Sequence, residues 1–135
     1  MMKTLAALGI VAAAFTFTAT ASYAAGEPAM MGDTEKGKAW VDAKGMALYT
    51  FGKDKKGTTT SMCTGNCIVE WPPLLAPAGA KAKGEWTLVA VVDKDGKTQQ
   101  MWAYDGKPLY LFVDDKKPGQ VTGDGVDDFH LAKAE

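Results

Sequence analysis

Gly45-Met-Ala-Leu48-Tyr49-Thr-Phe51-Gly-Lys-Asp54-Lys55-Lys56 and Gly106-Lys-Pro-Leu109-Tyr110-Leu-Phe112-Val-Asp-Asp115-Lys116-Lys117 align without a gap at a constant offset of 61, with seven of twelve positions identical. A repeated unit sets the architecture, so it is read first. Each copy is a glycine turn, a short aromatic strand and a charged loop. Glycine accepts the positive φ of a tight hairpin turn, and Leu-Tyr-x-Phe suits a pleated strand. Trp40 precedes the first copy and Trp102 the second with one residue of slippage, so the unit extends upstream. Alternation puts Tyr49 with Phe51, and Tyr110 with Phe112, on one face of each strand. Aromatics at that spacing fill a core. Tyrosine twice over implies a partner for each phenol, expected in the Asp or Lys of the same copy (Asp54 and Lys56; Asp115 and Lys117), with the Asp also bonding backbone N–H groups of the turn that follows. The functional alternative is that the two equivalent loops form a paired binding surface.

Working outward, Trp86 to Val92 is a β-branched strand ending in the turn Asp93-Lys-Asp95-Gly96. Thr98 to Tyr104 is its partner, Asp105-Gly106 turns the chain again, and Leu109 to Val113 completes a three-stranded meander. The first copy predicts a hairpin of Lys38 to Val41 with Met46 to Phe51. Thr58 to Lys83 is poor in strand signals, with one helical turn at Cys67 to Trp71 stopped by Pro72-Pro73. Asp128 to Ala132 is a last strand. No stretch holds apolar residues at helical spacing over three turns. The expected fold is all-β: about six mostly antiparallel strands built from two related hairpin repeats, one disulfide and little helix.

The 135 residues allow one domain, and 47% are apolar. Fifteen cations, all lysine, face 16 acids for a net charge of -1. That balance argues against nucleic acid as a partner, and the lack of arginine removes the bidentate forks usual at phosphate sites. Seventeen apolar residues lie within the first 24 positions, where a Lys3 start, the apolar run Leu5 to Phe17 and Ser22-Tyr23-Ala24 read as a cleaved signal peptide. The run of 13 residues is short of the roughly 20 that span a bilayer. No cysteine precedes Cys63, so no lipid attachment is expected, and the protein is placed in the periplasm or outside the cell with no transmembrane segment after cleavage. Residues 25–36, broken by Gly26, Pro28 and Gly32, read as a flexible lead-in, and 37–135 as the two-copy β-domain.

Cys63 and Cys67, the only cysteines, are expected to form a structural disulfide in an oxidising compartment, pinning the irregular middle segment. A redox-active pair is the sharper reading, but three intervening residues and no βαβ core depart from the redox motifs. His130 is the single histidine, opposite Phe129 and Leu131 in strand alternation. With Met62 and a reduced Cys63 it is a candidate copper set, at the expense of the disulfide. The carboxylates of Asp114, Asp115, Asp124, Asp127 and Asp128 either converge on calcium or belong to ordinary turns, and the spacing is not that of an EF-hand. No nucleophile beside a histidine and no phosphate loop is present, which leans against an enzyme.

The repeat resembles the bacterial family of secreted repeats, or predicted lipoproteins, marked by Tyr-x-aromatic-x-x-Asp. The similarity extends to Cys63-Thr-Gly-Asn-Cys67, Trp71-Pro72-Pro73-Leu74, Gly84-Glu85-Trp86-Thr87, Trp102 through Tyr110 and Thr122-Gly123-Asp124-Gly125-Val126, over about residues 38–133. It implies an exported protein and supplies no activity or ligand. The chain departs from the family pattern at Asp127-Asp128-Phe129, where the resemblance calls for glycines and a tryptophan. The expected function is a non-enzymatic binding or envelope-associated module for an unknown partner, with no cofactor. The alternative is a periplasmic copper or redox buffer using Met30, Met31, Met46, Met62, Met101, the cysteines and His130.

Overall fold

The computed structural model describes residues 27–134; the expected signal peptide lies outside the described residues. The elements are β1 (Met30–Thr34), β2 (Gly37–Val41), β3 (Tyr49–Phe51), α1 (Cys67–Glu70), β4 (Trp86–Val92), β5 (Thr98–Tyr104), β6 (Lys107–Pro108) and β7 (Phe129–Leu131). They form three small antiparallel sheets, β1-β2, β3-β7 and β4-β5-β6. The described residues form an all-β domain with a single helical turn and one disulfide, Cys63–Cys67.

Local chemistry accounts for the hairpins. At the end of β4, Asp93 Oδ1 accepts the backbone N–H groups of Asp95 and Lys97, both at 2.9 Å, and Gly96 takes φ 80°. Asp42 does the same for Lys44 and Met46 at the turn after β2. An Asx turn of this kind satisfies two donors that the hairpin leaves free.

Three expectations are corrected. Met30–Thr34, within the stretch read as a flexible lead-in, is a strand paired with β2 from Met30↔Val41 to Thr34↔Gly37. Its sequence hides this because Gly32, a poor strand former, is there for packing: a Cβ on it would lie 2.7 Å from a Val41 methyl. The first-copy hairpin holds only near its turn, through the Val41↔Ala47 bridge and Leu48 N–H to Trp40 O at 2.9 Å, after which β3 leaves to pair with β7. The meander likewise ends early. Leu109 still bonds Trp102, but Tyr110 pairs with Tyr49 and Pro73, and Leu111 and Val113 donate to Pro72 and Glu70.

The last two departures are one event occurring twice. Tyr49 and Tyr110 exchange both backbone hydrogen bonds, at 2.7 and 2.9 Å, the closed pair of an antiparallel ladder. Around it the copies correspond: Leu48 donates to Trp40 as Leu109 does to Trp102, Trp40 donates to Ala132 as Trp102 does to Leu74, and Ala132 donates to Leu48 as Leu74 does to Leu109. An approximate twofold therefore runs through the Tyr49–Tyr110 pair, and the segment 70–74 is the counterpart of β7 with its flanking residues.

Both faces of the repeated strands are buried. Tyr49, Phe51, Tyr110 and Phe112 join Trp71, Phe129, Met101, Val89, Val91 and Cys63 in one core, whereas Leu48 and Leu109 face a second with Trp86, Trp102, Leu74 and Ala132. The centre of the first core is a column of rings, Phe112–Trp71–Phe129–Phe51, with successive centroids 4.1, 3.8 and 4.3 Å apart and planes within 19°. Tyr49 meets Trp71, and Tyr110 meets Phe129, edge-on at 5.3 and 5.2 Å. Trp71 and Phe129 are twofold counterparts stacked on one another.

Candidate functional site

The side chains common to both copies of the repeat are turned inward and crossed between copies. Tyr49 Oη donates to Asp115 Oδ2 at 2.6 Å, and Tyr110 Oη donates to Asp54 Oδ2 at 2.5 Å. Each phenol thus bonds the carboxylate of the other copy, not of its own. The second oxygen of each carboxylate serves its own loop: Asp54 Oδ1 accepts Met62 N–H at 2.7 Å, and Asp115 Oδ1 accepts Thr122 N–H and Oγ1 at 2.8 and 2.7 Å. The backbone bonds lie seven or eight residues on, so each Asp closes a long loop instead of a local turn. Burial, and then the neighbouring carboxylate, push both phenols far above their ordinary range, so they stay protonated donors. Burial also raises the Asp54 carboxyl, although the bonds from Tyr110 and Met62 oppose the shift.

The glycine turns cross in the same way. Gly57 N–H donates to Gly106 O at 2.8 Å, and Gly119 N–H donates to Gly45 O at 3.0 Å. A Cβ on Gly106, whose φ is 77°, would sit 2.7 Å from Gly57 N, so both the conformation and the approach require glycine. Lys56 Nζ meets Asp105 Oδ2 at 3.3 Å across this contact, while Lys117 is exposed.

The other singled-out residues are dispersed. Cys63 is buried and bonded to Cys67. Its backbone N–H donates to Ser61 Oγ at 3.0 Å, which lies 2.5 Å from Tyr110 Oη, so the bridge sits beside the tyrosine network. Met62 is 61% exposed and Met101 is fully buried. His130 points outward from β7, with its ring nitrogens 3.8 Å from Asp124 and 3.6 Å from Asp128. Asp124 also accepts Leu131 N–H at 3.0 Å, and Asp115 is committed to Tyr49 and Thr122. Among the described residues no group of three or more His, Cys, Asp or Glu could hold a metal ion.

Among the described residues there is a cleft of about 750 Å³ whose lining includes Trp40, Tyr104, Glu85, Asp105, Lys107 and Lys133; a second, of about 540 Å³, is lined by residues 75–80 with Gln99 and Gln100 and has no aromatic wall. The rings of Trp40 and Tyr104 are 4.4 Å apart and inclined by 45°. Trp86 backs both, at 5.5 and 4.9 Å, and is itself fixed by Nε1–H donation to Glu27 at 2.6 Å. The turn Asp105–Gly106, gripped by Gly57 and Lys56, holds the rim. The twofold counterpart of Trp40 is Trp102, only 9% exposed in the core against which Ala76 and Ala80 pack. One copy buries its tryptophan and the other leaves it partly exposed. Trp40 and Trp102 were legible as repeat partners, but Glu85, Asp105, Lys107 and Lys133 carry no sequence signal that would assemble them.

Fold and cleft together define a duplicated β-domain with an interlocked core and an open cleft lined by Trp40 and Tyr104. The chain belongs to the family of secreted repeats of unknown function, whose model matches residues 30–75 and 89–131 in two stretches. Those stretches coincide with the two halves related by the twofold. A comparison with curated proteins found no match, and neither did one with solved structures.

Proposed function

We propose that the protein is a non-enzymatic binding module acting outside the cytoplasm, in the periplasm or beyond, and that the Trp40 cleft is its binding surface. The observation that carries this reading is the broken symmetry of the two tryptophans: Trp102 is sealed in the core, whereas Trp40 borders an open cleft with Tyr104. Concave surfaces with aromatic walls and a few polar groups are where ligands bind. The repeated Tyr, Phe and Asp side chains are taken up by the interlock, which leaves Lys56 and Lys117 as the outward part of the motif. Membership of a secreted family supports the location, and among the described residues no helix is long and apolar enough to cross a membrane.

The test is NMR titration of the labelled protein with three envelope-type probes: soluble neutral oligosaccharides, peptidoglycan-derived peptides and phospholipid vesicles. At least one should shift the Trp40 indole signal and the amides of residues 104–107. Shifts confined to the loops at 54–56 and 115–117, or no shift with any probe, overturn the reading.

A further inference from the structure

Resting on the cleft reading above, we propose that the ligand is a neutral saccharide whose ring faces stack on Trp40 and Tyr104. The argument begins with the platform. An aromatic ring carries negative potential on its faces, which attracts the polarised C–H bonds that a pyranose presents on its own face. Trp40 and Tyr104, both half-buried, bring two such rings to the cleft at an inclination of 45°, and Trp86 packs against both. A platform held in place before binding saves the entropy of ordering side chains.

The rim then selects by charge. The lining includes Glu85, Asp105, Lys107 and Lys133, two acidic and two basic residues, with Asp105 already paired to Lys56 at 3.3 Å. That set has no net charge, so it does not offer the cationic track that a polyanion needs. It does offer acceptors and donors side by side, which is what a row of neutral hydroxyl groups requires, since each hydroxyl both donates and accepts. The volume of about 750 Å³ is within the range of clefts that hold small organic ligands, and the cleft's open form suits entry of part of a chain.

The experiment is a calorimetric and tryptophan-fluorescence titration of the whole exported protein with cellohexaose, chitohexaose and maltohexaose, beside a hexalysine peptide and polygalacturonate as charged controls. At least one neutral oligosaccharide should bind saturably, with an affinity insensitive to ionic strength. Trp40→Ala should weaken it by about tenfold or more. Because Trp40 contributes to packing, Lys133→Ala and Glu85→Ala are measured alongside; each should weaken binding without lowering the melting temperature. Absence of saturable binding to all three oligosaccharides, or binding that survives all three substitutions, overturns the proposal. If the cleft signals still move with peptides or vesicles, the binding reading survives its failure; if no probe moves them, both fall.

Discussion

Tyr49 and Tyr110 each carry one oxygen that phenylalanine lacks, and that oxygen ties each strand to the opposite repeat. A hydrogen bond from a neutral donor to a carboxylate contributes about 1.5–3 kcal/mol, with half-buried Asp54 expected toward the lower end and buried Asp115 toward the upper. Double-mutant cycles should therefore give coupling of about that size for Tyr49→Phe with Asp115→Ala and for Tyr110→Phe with Asp54→Ala. The same-copy combinations, Tyr49 with Asp54 and Tyr110 with Asp115, should couple by less than about 0.5 kcal/mol, read from denaturant unfolding. Strong same-copy coupling would contradict the crossed arrangement. The phenols also predict an alkaline response. In the unfolded chain they ionise near 10.0, while burial and the carboxylates hold them protonated above that in the fold. The folded state then keeps protons that the unfolded chain releases, so their contribution is intact below pH 10 and is lost as the pH rises past it. Tyrosinate absorbance from these two rings should appear together with loss of the circular dichroism signal, and Tyr49→Phe/Tyr110→Phe should flatten that part of the pH dependence. Ionisation of both within a still-folded protein would count against it. Two residues of the departing segment explain themselves at this scale: Asp127 and Asp128 take φ of 53° and 67°, the left-handed region where the resemblance calls for glycine and where Asp is among the few tolerated side chains. Phe129 occupies the twofold position of Trp71, whose Nε1 is buried with no partner among the described residues. Phenylalanine there adds no second unsatisfied donor.

At the level of elements, β4, β5, the turn at Asp93–Gly96, the helical turn at Cys67 and the β7 strand all follow from local chemistry, which is why they were readable. β-branched runs, Asx turns and prolines act within a few residues. β1 was not readable, because Gly32 and the methionines lack strand character and its pairing is supplied by β2 and by Glu35 N–H bonding Gly119 O at 2.9 Å. Local pattern marks the repeated segments as strands but does not encode their partners. Tyr49 to Phe51 leaves its hairpin for β7, and Leu109 to Val113 leaves the meander for 70–74. A hairpin neighbour is the cheapest partner in loop entropy, and only the burial of two aromatic faces at once outweighs that advantage.

For the whole molecule, the two repeats share one ring column, both Tyr–Asp bonds and both glycine contacts, so neither half has a complete core of its own. Thermal unfolding should accordingly be a single transition in which the calorimetric and van't Hoff enthalpies agree; two resolved transitions would mean that the halves are independent. The same duplication frees the molecule to be asymmetric elsewhere. With the core fixed by the crossed contacts, the Trp40 side can stay open while Trp102 is buried in the second core. By itself the sequence determined the fold class, the repeat, the disulfide partners and the inward face of the aromatics, since alternation, turn residues and self-similarity are local or linear properties. The tertiary structure alone decided that the tyrosines bond across the repeats and that one tryptophan is sealed and the other is not. Both outcomes depend on residues about 60 positions apart meeting around a twofold, a juxtaposition that no spacing along the chain encodes.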